Sequence, residues 1–172
     1  FYTTLPTLPT LILSVDAAFK GGEQSDFVAI QAWGKRGGDC YLIDAMKERM
    51  GFPETLEAIR GMKARYPSAQ MILIEDKANG PAILQVLQRE IPGMVPVNPE
   101  GGKVARANAV SGAIEAGNVY LPAYASFTGG FLEECSAFPN GAHDDQVDCM
   151  TQALSRLLYW PSEPPTPPDP DE

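Results

Sequence analysis

The chain has no apolar run approaching the ~20 residues that a membrane-spanning helix needs. Its first ten residues, Phe1 to Thr10, carry neither the basic start nor the apolar stretch of a secretory leader. Cysteine is scarce: Cys40, Cys135 and Cys149 are odd in number and scattered, which excludes a disulfide framework, gives no zinc spacing and fits a reducing cytosol. Histidine occurs once, as His143. Positive charge is also short, with 13 basic against 22 acidic residues and a net charge of −9. Generic nucleic-acid binders carry a basic footprint, so this balance argues against that class. It leaves open an enzyme that reaches phosphates through metal ions. Acidic clusters bind Mg²⁺ or Mn²⁺, and the ion reverses the local charge.

What is present suits one domain with one sizeable core, at 172 residues. Leu11–Asp16 (Leu-Ile-Leu-Ser-Val-Asp) reads as a buried strand ending in a carboxylate, the position where open α/β sheets place their sites. Phe27–Trp33 and Cys40–Asp44 follow as strands around a Gly34–Gly38 hairpin loop, making an antiparallel three-strand meander. A helix opens at about Pro53 and stops near Tyr66-Pro67. Met71–Ile74 is a short strand, and a helix runs from Pro81 to about Glu90. Met94–Val97 is another strand, and helix 103–116 is stopped by Gly117-Asn118. After a brief extended piece at Val119–Leu121 come helices over Thr128–Ala137 and from His143 or Asp144 to Tyr159. A meander followed by α/β crossovers implies a mixed α/β sheet with helices on both faces. Residues 1–10 read as a linker from an upstream domain and 11–160 as the domain. The proline- and acid-rich stretch 161–172 reads as a disordered tail.

Carboxylates gather at three ends: Asp16 after the first strand, Glu75 and Asp76 after the first crossover strand, and Asp144, Asp145 and Asp148 at the start of the last helix. Neighbouring strands lie ~4.8 Å apart, so Asp16 and Glu75 or Asp76 come side by side if those strands pair. Asp145 and Asp148 share one helix face. Each group alone has a plain explanation, since acids cap turns and helix starts without any metal. Their joint occurrence favours a divalent metal site, because acids brought together repel unless a cation joins them.

The ordered set of Val15-Asp16, Ser25-Asp26-Phe27, Ile74-Glu75-Asp76-Lys77-Ala78-Asn79-Gly80, Lys103-Val104-Ala105-Arg106-Ala107, Gly117-Asn118-Val119-Tyr120-Leu121-Pro122 and His143-Asp144-Asp145-Gln146-Val147-Asp148 resembles the C-terminal nuclease domain of phage terminase large subunits. The resemblance covers about residues 11–158. It implies an RNase H-like fold and cleavage of concatemeric double-stranded DNA by two-metal hydrolysis with Mg²⁺ or Mn²⁺. The first catalytic Asp of the family falls on Asp16, the second carboxylate on Glu75 or Asp76, and the last on Asp145, with Asp148 in the alternative frame. It further implies a missing N-terminal ATPase domain, since no Gly-x-x-x-x-Gly-Lys-Ser/Thr occurs here. The small terminase subunit and the portal are implied as partners, and the host cytoplasm as the location.

Asp26, Asp144 and His143 are outer candidates for the site, a helix cap being the plain role for His143. Lys77, Lys103 and Arg106 are candidates for DNA phosphates; the alternative is that they face solvent or neutralise the acids. Lys20, Lys35, Arg36, Lys47 and Arg49 are expected on loops of the meander, and Trp33 and Trp160 in packing roles. Two other readings stay open: a junction resolvase or integrase-type nuclease of the same fold, and a non-catalytic interaction domain with solvated acids.

Overall fold

The computed structural model describes residues 1–17 and 27–159. Among these, six strands form one sheet: β1 (Thr10–Asp16), β2 (Phe27–Arg36), β3 (Asp39–Arg49), β4 (Met71–Glu75), β5 (Met94–Val97) and β6 (Val119–Tyr120). Their spatial order is β5-β4-β1-β2-β3-β6. β1, β2 and β3 pair antiparallel, while β4 runs parallel to β1, β5 to β4 and β6 to β3. The described helices are α1 (Phe52–Arg65), α2 (Gly80–Leu87), α3 (Lys103–Glu115), α4 (Thr128–Ala137) and α5 (Asp145–Tyr159). None is long and apolar enough to cross a membrane.

Strand alternation sorts the side chains into two cores. Leu13 and Val15 of β1 pack with Ile59 and Met62 of α1 and Ile83 and Leu87 of α2. Ile12 faces the other way, into a cluster with Val110 of α3, Phe131 of α4 and Leu154 of α5. With both faces covered, β1 is apolar almost throughout instead of alternating. Ser14 is the exception, fully buried on the α5 side, where its hydroxyl donates to Cys149 O at 2.8 Å.

The meander is longer than the sequence suggests. β2 continues to Arg36, and the turn shrinks to Gly37-Gly38, where Gly37 takes φ +60°. Gly34 lies inside the strand because Leu8 covers it; an added Cβ would collide with Leu8 Cδ1. Lys35 and Arg36 therefore belong to β2, and Lys47 and Arg49 to β3, where they pair with Ala29 and Phe27. The charged run Lys47-Glu48-Arg49 reads as loop in isolation, but β2 gives it a ladder partner. α2 ends at Leu87 instead of near Glu90, because the chain bends back to Gly93 (φ +85°) to enter β5.

Residues 1–9 are tied to the domain. Tyr2 N donates to Leu121 O at 2.9 Å, Ala123 N to Tyr2 O at 2.8 Å, and the Tyr2 hydroxyl to Leu42 O at 2.8 Å. Gln70 Nε2 donates to Pro9 O at 3.1 Å. The tail at 161–172, together with Lys20, Asp26 and Trp160, lies outside the described residues.

Candidate metal centre

Asp16 and Glu75 end neighbouring parallel strands, with Val15 opposite Ile74 one position earlier. Parity puts both side chains on the α5 side: Asp16 follows Ile12 and Ser14, and Glu75 follows Leu73. Asp76 has the opposite parity and is exposed; its backbone N–H continues the ladder to Val97 O at 2.7 Å. A hollow of about 30 Å³ lies between Asp16 and Glu75, edged by Lys77 and Gly80. Gly80 is required there, because a Cβ would run into Glu75 O.

α5 brings the remaining acids. Polar bonds hold it to the sheet directly beneath Asp16: Cys149 Sγ donates to Ser14 O at 3.0 Å, and Gln152 Nε2 donates to Ser14 Oγ at 2.9 Å, with Val15 O and Leu73 O both at 3.3 Å. The Asp148 side chain is 7% exposed and both its oxygens are engaged, Oδ1 by Arg106 Nη2 at 2.9 Å and Oδ2 by Lys103 Nζ at 2.7 Å. Lys103 also reaches Asp144 Oδ1 at 2.7 Å. Burial alone would lower the Lys103 pKa, but its hydrogen bonds to Asp144 and Asp148 outweigh that and raise it. Asp144 O accepts the first helical bond of α5, from Asp148 N at 2.9 Å. His143 lies just before it, its ring edge-on to Phe27 at 4.7 Å.

Two residues that the sequence does not assign to the site complete the cluster. Glu134 of α4 accepts Gln146 N at 2.7 Å on Oε1, capping the first turn of α5 from another helix. Its Oε2 accepts Lys47 Nζ at 2.7 Å, and Lys47 Nζ lies 3.4 Å from Asp145 Oδ2. Burial pushes the Glu134 pKa up, but its hydrogen bonds with Lys47 and Gln146 bring the net value down, keeping it charged. Counting two residues on from the buried Ala45 would place Lys47 on the α5 face, given a strand that long.

The charges of these acids act on Asp16. It is 6% exposed, and its pKa is pushed up to about 7, first by burial and then by the charges of Asp148, Asp145 and Glu75; Lys103 offsets only part.

The model of the terminase RNase H-like domain family matches residues 13–157. The chain belongs to that family. The fold of this terminase RNase H-like domain is also that of solved relatives. The large terminase nuclease of thermophilic phage G20c with bound zinc superposes with a TM-score of 0.67 at 16% identity, covering 86% of this chain and 81% of that one. The nuclease domain of the bacteriophage SPP1 large terminase with bound manganese gives 0.61 at 17%, covering 87% of each. The large terminase of another thermophilic bacteriophage gives 0.65 at 15%, covering 91% of this chain but only 42% of that protein, so this chain spans less than half its length. A search of curated protein sequences gives no match.

The residues of this terminase domain fit a hard divalent cation. Carboxylate oxygens are the donors such ions take. Asp145 Oδ2 is buried with no hydrogen-bond partner, and Asp16 stands in a field of like charge. Among the described residues no three such side chains already close into a cage for one ion. Lys47, Lys103 and Arg106 hold the acids of α5 instead. A cleft of about 440 Å³ opens alongside, bordered by Glu75, Asp148, Arg106, Asn98, Arg156 and Tyr159.

Proposed function

We propose that this terminase domain is a metal-dependent endonuclease that cuts concatemeric double-stranded DNA by two-metal phosphodiester hydrolysis. The observation that carries this reading is the convergence on buried Asp16 of Glu75 from β4 and of Asp145 and Asp148 from α5. Gathering acids costs stability unless a cation is recruited, and such costs concentrate at functional sites. When bound, the ions supply Lewis acidity, activating water and stabilising the leaving oxygen. The solved relatives with bound zinc, magnesium or manganese support the same reading.

Asp16 is assigned to both ions, Glu75 to one and Asp145 to the other. Asp148 holds Lys103 and Arg106 beside the acids and is the secondary ligand. Asp76 is left to solvent by its parity. Lys77, on the rim of the Asp16–Glu75 hollow, and Lys103 are assigned to the DNA backbone, with Arg106 behind them. The partners on this reading are an ATPase domain in the same chain, the small terminase subunit and the portal, in the host cytoplasm. The test is incubation with supercoiled plasmid plus Mn²⁺, Mg²⁺ or EDTA. Nicking and linearisation with the ions and none with EDTA are expected; no cleavage with either ion, at high enzyme and low salt, refutes the proposal.

A further inference from the structure

Lys47 is largely buried, Glu134 is buried, and both are charged. Their side chains are 14% and 8% exposed, and they lie on different elements, β3 and α4. Burying an ion pair gives the fold little net stability, since desolvation offsets the attraction. Their placement points to a different use. Glu134 takes Gln146 N and Gln146 Nε2 (3.0 Å) as well as Lys47, so it grips the residue immediately after Asp145. Gln146 is also fixed from the sheet side: Gln31 Nε2 donates to Gln146 O at 2.9 Å, and Trp33 Nε1 donates to Gln31 Oε1 at 2.8 Å. Lys47 itself is confined by the Phe27 ring, 4.5 Å below its ammonium. Lys47 Nζ then lies 3.4 Å from Asp145 Oδ2, a buried oxygen with no hydrogen-bond partner.

We propose that Lys47 and Glu134 are a positioning pair for Asp145: Glu134 sets the backbone that carries it, and Lys47, beside Oδ2, holds the carboxylate in the orientation that a metal ion takes. This rests on the metal reading above. It assigns Lys47 no contact with DNA and no proton transfer.

The sign of the effect separates positioning from simple charge. An ammonium 3.4 Å from one oxygen of a ligand carboxylate repels an incoming cation, so on charge alone Lys47→Met should tighten Mn²⁺ binding. If Lys47 positions Asp145, the same change loosens it, and supporting residues of this kind are typically worth about 10–100-fold in metal affinity or activity. The experiment is Mn²⁺ titration by calorimetry, together with kcat and KM on plasmid, for wild type, Lys47→Met, Lys47→Arg and Glu134→Gln. Glu134→Gln keeps an acceptor for Gln146 N and tests the pair where Lys47→Met fails to fold. Expected are weaker Mn²⁺ binding and lower kcat in Lys47→Met and Glu134→Gln, with KM for DNA within about twofold of wild type, and partial recovery in Lys47→Arg. Tighter or unchanged Mn²⁺ binding in the folded variants, or a loss confined to KM, overturns the pair. Absence of Mn²⁺ binding in the wild type overturns the metal reading itself and the pair with it.

Discussion

Replacing Asp16 by Asn tests the centre of the site through stability as well as activity. In the folded chain the carboxyl pKa is pushed from about 3.8 to about 7 by burial and by Asp148, Asp145 and Glu75. An acid whose folded value lies above its unfolded one loses its proton first in the unfolded chain. Stability therefore falls as pH rises from about 4 to about 7, and it stays lost above that. A gap of about three pH units corresponds to roughly 4 kcal/mol at pH 8. Asn removes the charge but brings an amide that must find acceptors in the same pocket, a cost of about 1–3 kcal/mol if it does not. The net expectation is that Asp16→Asn is more stable than wild type by about 1–3 kcal/mol at pH 8, or about 2–12 °C in melting temperature. At pH 4 the difference should shrink toward zero or reverse. A carboxylate that merely capped a turn would give the opposite sign, a loss of about 1 kcal/mol. The assay is thermal melting of both proteins from pH 4 to pH 8, with and without Mn²⁺. Saturation at about 100 times Kd is worth ~2.7 kcal/mol to the wild type, and the variant should gain much less, while its cleavage falls by orders of magnitude. An unchanged or lower melting temperature at pH 8, with equal gains from Mn²⁺, would sink the assignment of Asp16.

Glu75→Gln should abolish plasmid cleavage while Asp76→Asn stays near wild type; equal losses would show that strand parity does not select the ligand. Arg106→Ala leaves buried Asp148 with Lys103 alone and should cost about 1–3 kcal/mol in denaturant melts; a neutral result would mean that Asp148 is better solvated than its 7% exposure implies. Gly80→Ala, which drives a methyl into Glu75 O, should cost about 1–3 kcal/mol and lower cleavage further than that loss of stability explains. With a net charge of −9 the isolated chain should bind DNA weakly and lose binding steeply with added salt, and gel-shift titration across salt concentrations that found a tight, salt-insensitive complex would contradict this.

The sheet and the strand-end acids were legible because they are local. An apolar run that stops at Asp16 or Glu75 announces the strand and puts a carboxylate at its end. Whether Glu75 or Asp76 joins Asp16 is not local, since it depends on β4 pairing with β1 in one register. The Lys47–Glu134 pair was hidden for the same reason. Its members are 87 positions apart, and nothing in the spacing of the helix that carries Glu134 points to β3. Lys47 was obscured further by ending the third strand at Asp44, before the parity count could reach it. Lys103 and Arg106 were visible as a basic pair one helical turn apart. That they reach back to Asp144 and Asp148 follows from α3 packing on α5, which the spacing does not encode.

The bonds from Gln152 and Cys149 to β1 and β4 have a consequence for motion. Interdigitated apolar side chains already resist sliding, and hydrogen bonds add direction. To advance α5 by one residue along the sheet would shift it by about 1.5 Å and turn it by about 100°. That step would carry Asp145 and Asp148 off the face they share with Asp16, and it would break the contacts of Gln152 Nε2 with Ser14, Val15 and Leu73 together. The helix therefore has one seating. In hydrogen exchange, the amides of α5 and β1 should open as one unit rather than in succession.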